Sequence, residues 1–183
     1  MEKLQPDIGN KLRSIRKELG FSLDVASKMT GVSKAMLGQI ERGESVPTIS
    51  TLWKISRGLK VTFSNFIAIK DEENKVTKVD DIYPLEEENG AMRVYNLFPF
   101  DPMIGIDFLH IEIDPKCVHE SIAHNNVLNE YIAVIEGELE MKINDEYFTI
   151  PSGGVIHFDG KYEHTYANNG NEKVIFHNVI KYR

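Results

Sequence analysis

The stretch FSLDVASKMTGVSKAMLGQIERG, residues 21–43, decides the reading of the first third of the chain. Ser22 is a helix N-cap residue, and the segment after it carries Val25, Ala26 and Met29 at positions that can face inward. Thr30-Gly31-Val32 is a tight turn, in which Gly31 permits a sharp reversal. Ser33 caps a further short helix that runs to about Arg42, and Gly43 closes it. Ala26, five positions before Gly31, is the small side chain that two closely crossing helices need. Val32 then supplies a wedge and Ile40 an anchor.

The flanks continue the helical pattern. Leu12, Ile15 and Leu19 form one stripe that Gly20 ends. Pro47-Thr48 opens a fourth helix with Ile49, Leu52, Ile55 and Leu59, and a fifth covers Phe63 to Ile67. Residues 70–90, KDEENKVTKVDDIYPLEEENG, lack sustained periodicity and read as a linker, with one strand near Val76–Ile82. From Arg93 onward short β runs alternate with turn residues. The runs are Arg93–Phe98, Ile104–Ile113, Cys117–His124, Glu130–Glu136, Glu138–Ile143, Glu146–Ile150, Val155–Phe158, His164–Ala167 and Lys173–Ile180. Leu139, Met141 and Ile143 alternate with Glu138, Glu140 and Lys142, one dry face and one wet. Strands this short and closely spaced make a sandwich or a barrel. The chain is thus an α + β protein of two domains, a five-helix bundle over residues 8–68 and an all-β domain over 91–183, joined by 69–90.

The charge follows the same division. Residues 1–68 hold 11 Lys/Arg against 6 Asp/Glu, a net of +5, and residues 69–183 hold 10 against 22, a net of −12. The basic part could face nucleic acid, which would repel the acidic part. All six histidines, His110, His119, His124, His157, His164 and His177, lie in the acidic part. No stretch approaches the roughly 18 apolar residues of a membrane helix. The charged start, MEKLQPDIGNKLRSIRKELG, has no apolar core of a signal peptide, and the single Cys117 can form no internal disulfide. A cytoplasmic setting without a membrane partner is the expectation.

Residues 8–67 resemble the XRE family, the Cro and phage-repressor (Cro/C1-type) helix-turn-helix. Besides Ala26, Gly31, Val32 and Ile40, the resemblance rests on Ile15-Arg16-Lys17, Gln39-Ile-Glu-Arg-Gly-Glu and Pro47-Thr48-Ile-Ser-Thr-Leu-Trp-Lys-Ile-Ser. It implies binding of double-stranded DNA, with the helix after Ser33 in the major groove. Lys34, Ala35 and Met36 would face base edges, with Gln39 one turn on. Gln39 can bond an adenine bidentately, Lys34 a guanine, and Ala35 or Met36 can touch a thymine methyl. Ser33 and Arg42 would hold phosphates, as would the amide end of the preceding helix near Ser22. Many family members have a glutamine where this chain has Leu23.

The second domain resembles the cupin family, whose fold is a double-stranded β-helix barrel. Glu130, then Gly137 after six residues, Pro151-Ser-Gly153 and His164-Thr-Tyr-Ala-Asn168 carry that resemblance. In the family the first motif supplies two histidines and a glutamate, and the second a further histidine, around a divalent metal. His124, Glu130 and His164 stand at three of those positions, and Asn126 at the place of the second histidine. Strand periodicity puts His124 with Asn126, Glu130 with Ile132 and Val134, and His164 with Tyr166 and Asn168 on shared faces. The resemblance implies an effector pocket of His124, Asn126, Glu130, His164 and Tyr166. Within it, His124, Glu130 and His164 could form a three-ligand site for a divalent transition metal, or else a hydrogen-bonded cluster. His119 and His157 read as surface or strand-end residues, His110 and His177 as satisfied core or interface residues, and Cys117 as structural. Tyr131, Ala133 and Ile135, opposite Glu130, make that strand apolar on both faces, as at an interface with a second sheet or subunit.

Together the halves read as a sequence-specific transcription regulator and not an enzyme. It would bind a palindromic operator as a homodimer, with recognition helices about 34 Å apart. A small-molecule effector would occupy the barrel, and family habit favours repression. Two alternatives stand beside this. The barrel could be a dimerisation module without a ligand, or a metal-dependent cupin enzyme fused to a DNA-binding head, against which Asn126 counts.

Overall fold

Each of the first four helices starts at a side chain that accepts an otherwise unpaired backbone amide. Asp7 caps α1 (Ile8–Glu18) through the Asn10 amide and Ser22 caps α2 (Leu23–Thr30) through Val25. Ser33 caps α3 (Lys34–Glu41) through Met36, and Thr48 caps α4 (Ile49–Leu59) through Thr51. Each such bond is worth about 1 kcal/mol. A single turn, α5 (Ser64–Ile67), completes the bundle. The computed structural model describes residues 7–67, 76–101, 103–124 and 126–183. Residues 68–75, which include the start of the expected linker, lie outside them.

Gly31 closes α2 at φ 71°, in the left-handed region that glycine enters without strain. That reversal returns Val32 to a core shared with Leu12, Ala26, Leu37, Ile40, Leu52, Ile55 and Leu59. Three residues of the expected apolar stripes are not inward: Leu19, Val25 and Met29 are 41%, 41% and 42% exposed. α2 packs on α3 and α4, and its buried residues are Ala26 and Thr30. The helical period turns Val25 and Met29, one position back, toward the rim.

The strand expected near Val76–Ile82 is absent. A 3₁₀ turn covers Val79–Asp81, and the strand β1 (Leu85–Glu87) comes after Pro84, which has no amide to give a sheet. β1 pairs with β2 (Met92–Asp101), so part of the stretch read as linker belongs to a sheet. The remaining strands are β3 (Ile106–Ile113), β4 (Val118–Ser121), β5 (Val127–Glu136), β6 (Glu138–Ile143), β7 (Glu146–Pro151), β8 (Val155–Asp159), β9 (His164–Ala167) and β10 (Val174–Tyr182). They form an antiparallel six-stranded sheet, β1-β2-β3-β10-β5-β8, and a four-stranded one, β4-β9-β6-β7. This is the expected cupin architecture of two sheets around one apolar interior.

Alternation decides what enters that interior. On β10, Val174, Phe176, Asn178, Ile180 and Tyr182 are buried, and on β6, Leu139, Met141 and Ile143 are. Glu130, Ile132 and Val134 of β5 point the same way. Gly137 turns β5 into β6 at φ 76°, where a Cβ would come within 2.8 Å of the Lys173 carbonyl oxygen. Tyr131 and Ile135, on the other face of β5, are 47% and 45% exposed in the single chain rather than buried.

The helical domain is seated on the barrel. Glu87 of β1 accepts the Ser50 amide at 3.1 Å, a capping bond from one domain to the α4 terminus of the other. Ser64 of α5 donates to buried Asp107 of β3, which also accepts Tyr182 Oη at 2.6 Å. Burial outweighs these donors and pushes the Asp107 carboxyl up to about 6.

Candidate nucleic-acid interface and barrel site

α3 is held by its inner face and by one ion pair. Leu37, Gly38 and Ile40 are buried, and Glu41 accepts Arg16 Nε at 2.5 Å and Nη2 at 2.8 Å. Arg16 also donates to the Phe21 carbonyl at 2.7 Å, so one guanidinium ties α1, the loop before α2 and the end of α3 together. The pair is 12% and 7% exposed, dry enough to orient α3 firmly. The quoted matches at Arg16 and Glu41 thus have a common physical reason, which their separation in sequence conceals.

The outer face of α3 carries the expected residues. Lys34, Ala35 and Gln39 are exposed, and Met36 is half-buried against the core. Ser22 and Ser33 spend an oxygen lone pair on capping but keep a hydroxyl hydrogen that can donate to a phosphate. Lys34 Nζ pairs with Asp24 at 2.8 Å, and Arg42 pairs twice with Glu44 at 2.7 Å. Both are surface pairs, worth little against solvent and easily exchanged for a phosphate.

In the barrel, His124 from the loop before β5, Glu130 from β5 and His164 from β9 converge. His124 Nε2 lies 3.8 Å and His164 Nε2 3.9 Å from Glu130 Oε1, and all three residues are buried. Two donors, Tyr166 Oη at 3.2 Å and Asn178 Nδ2 at 2.7 Å, occupy Glu130 Oε2 and aim Oε1 inward. His164 Nδ1 donates to the Tyr162 carbonyl at 3.1 Å, a contact that sets the tautomer leaving Nε2 as a lone pair. Glu130 Oε1 and His164 Nε2 consequently lack a hydrogen-bond partner although buried. Two lone pairs converging without a donor are costly unless a cation or a donor lies between them. Burial above all holds His124 well below 6.5, so its imidazole is neutral and fit to ligate. Burial beside Glu130 raises the Tyr166 phenol well above 10, keeping it a donor.

The donor set therefore fits a divalent transition ion: two imidazole nitrogens and one carboxylate oxygen, all within 4.8 Å of one another. Ser121 Oγ, 3.3 Å from His124 Nε2, is the weak bond an ion would replace. Asn126 stands in the turn entering β5, half-buried, and its carbonyl accepts the Arg183 amide. It is not among the residues lining the cavity beside Glu130. Asn168 is buried but committed to the Ile113 and Glu172 carbonyls.

Other histidines depart from expectation. His119 is buried, lines the cavity and reaches Glu88 at 3.2 Å, so it is no surface residue. His110 and His177 face each other across β3 and β10 with ring centroids 5.4 Å apart, yet His110 Nδ1 is buried without a partner. His157 is exposed and stacks on Tyr131, as a surface residue would. Three participants carry no site motif in the sequence: Asn178, Asp107 and Trp53. Trp53 had a signal, since it extends the α4 stripe sideways at i+4 from Ile49.

A capped recognition helix mounted on a two-sheet barrel with a buried histidine–carboxylate cluster defines a helix-turn-helix regulator with a cupin domain. Residues 12–66 match the helix-turn-helix family and residues 109–180 the cupin domain family. The HTH-type transcriptional regulator SutR of Escherichia coli (strain K12) is 37% identical over 182 residues, covering 100% of this chain and 98% of its own. The HTH-type transcriptional regulator PuuR of the same strain is 25% identical over 165 residues, 87% of this chain and 86% of its own. The crystal structure of an HTH_3 family transcriptional regulator from Vibrio cholerae superposes with a TM-score of 0.81 at 36% identity, covering 98% of this chain and 97% of that one. The chain belongs to the helix-turn-helix transcriptional regulators and is a DNA-binding regulator with a cupin domain. No helix among the described residues is long and apolar enough to cross a membrane.

Proposed function

We propose that the chain represses transcription by binding a palindromic operator as a homodimer, and that its barrel senses a small-molecule effector. The DNA-binding unit is residues 8–68 and the sensor 91–183, in the cytoplasm. On α3, Gln39 and Lys34 read base edges and Ala35 and Met36 contact thymine methyls, while Ser22 at the α2 cap and Ser33 and Arg42 at the two ends of α3 hold the backbone. The observation that carries the sensor reading is the pair of buried, unpartnered acceptors, Glu130 Oε1 and His164 Nε2.

His124, Glu130 and His164 would hold a divalent transition ion, which when bound supplies a Lewis-acidic anchor for an effector's donor atoms. Tyr166 and Asn178 orient the carboxylate, and the apolar wall of Met92, Val94, Leu109 and Ile111 excludes water. Tyr131, Ile135 and Val155, exposed on the outer face of the six-stranded sheet, support pairing of two barrels through that face. The relatives are named as regulators, and this reading assigns the barrel no reaction.

Selection of bound fragments from random DNA by the full chain at physiological salt tests the reading. One palindromic motif is the expected result. Binding that is only salt-sensitive and independent of sequence would refute it.

A further inference from the structure

The indole of Trp53, on α4 of the DNA-binding domain, stacks on the imidazole of His124 in the barrel. Their ring centroids are 3.7 Å apart at 20°, and Trp53 also stacks on Phe63 at 4.8 Å and 14°. Trp53, Phe63 and Ile49 line the cavity that reaches Glu130 and Tyr166, so one wall of a barrel pocket comes from the other domain. What remains is about 30 Å³, room for about one water molecule. The capping bond from Ser50 to Glu87 and the Ser64–Asp107 bond fasten the same domain surface around this plug.

We propose that Trp53 is the lid of the effector pocket: any effector larger than a water molecule or a single ion must expel its indole and undock α4 from the barrel. This rests on the barrel being the effector site. The lid then couples the two domains by exclusion, because effector and docked domain need the same space, and the effector binds only the undocked state. Docking leaves the reading face open: α3 packs on α1 and α2, and Lys34, Ala35 and Gln39 are exposed. What docking sets is where that face stands relative to the barrel and, in a dimer, to its twin. Undocking exchanges two heads at fixed spacing for two heads on a tether, which weakens palindrome binding while leaving each half-site contact intact.

Trp53 is the one tryptophan in the sequence, so the W53A variant has no indole of its own and free indole reports on the vacated slot. The full-length variant is expected to bind free indole, by calorimetry and a blue-shifted emission, at least about tenfold more tightly than the wild type, whose slot is filled. It is also expected to bind the palindrome selected by the wild type about tenfold more weakly, with half-site affinity unchanged. Equal losses on palindrome and half-site would overturn the proposal, reducing Trp53 to a core residue of its own domain. Indole binding with unchanged palindrome affinity would leave the effector pocket standing and overturn the coupling. A weaker palindrome with no indole binding by either protein would overturn the pocket reading itself. The H124A variant changes no residue of the helical domain and opens the stack from the barrel side, so it guards against misfolding of W53A. Its Trp53 emission is expected to shift to the red with stronger acrylamide quenching, and unchanged emission would overturn the stack as a docking contact.

Discussion

Replacing Asp107 by asparagine tests the seam between the domains. The carboxylate is fully buried, accepts from Ser64 of the helical domain and from Tyr182 of the barrel, and is pushed up to about 6 by burial. In the unfolded chain the group titrates near its ordinary value of 3.8. Between these values the folded protein binds more protons than the unfolded one. The stability that Asp107 contributes therefore rises as pH falls from about 6 toward 4, and the buried charge is a cost above that window. The gap converts to about 3 kcal/mol in full, of which about 2 kcal/mol is realised by pH 4.5. The total pH profile does not isolate it. Burial holds His124 well below 6.5, so the unfolded state takes up that proton first and stability falls on acidification. D107N keeps the shape and removes the proton, so the wild-type minus D107N difference removes the shared histidine contribution. Urea unfolding at about pH 7.5 and about pH 4.5 should show that difference moving in favour of the wild type by about 2 kcal/mol on acidification. A flat difference would refute the raised carboxyl, and a movement the other way would refute the sign.

Gln39→Ala should relax preference at one base pair per half-site, costing roughly 1–3 kcal/mol on the best sequence and little on its variants, as read by competition binding. Arg42→Ala should weaken binding to all sequences alike and reduce the salt slope by about one. Uniform loss in both variants would show that Gln39 does not read a base. Glu41→Ala strands the Arg16 guanidinium and should cost about 2–3 kcal/mol, somewhat under the fully buried range because both partners keep a little water contact. Thermal melting of the helical domain measures this, and the Arg16→Met/Glu41→Leu double variant should recover most of it. Glu130→Gln should abolish Co²⁺ binding followed by visible absorption, and full retention would rule out the barrel triad as the ion's holder.

The helical half was legible because its signals are local. Caps at Ser22, Ser33 and Thr48, and the turn at Gly31, act within three or four residues, and each stands where the sequence pattern put it. Strand alternation on β6 and β10 is equally local. Sequence pattern and structure part where neighbours in space decide. Val25 and Met29 have inward-compatible spacing, but α2 buries only the Ala26–Thr30 line. His119 reads as a surface or strand-end residue, but it is the buried member of β4, bonded to Glu88 and lining the cavity. The strand expected near Val76–Ile82 begins later because Pro84 and the pairing to β2 set its start.

By itself, the sequence determined two units of opposite charge and the turn that sets α3 across its partner, while the grouping of His124, Glu130 and His164 came from the resemblance of the second half to the cupin family. The charge division and the turn depend on residue type and backbone propensity, which are written locally in the chain. Tertiary structure alone decided that Asn178 and Tyr166 aim Glu130, that Arg16 locks Glu41 from 25 residues away, and that Trp53 closes the barrel over His124. Those contacts join strands and helices far apart in the chain, where the partner of a buried polar or aromatic group depends on which surfaces meet. No local pattern carries that information, because the desolvation that makes each contact matter exists only once both surfaces are in place.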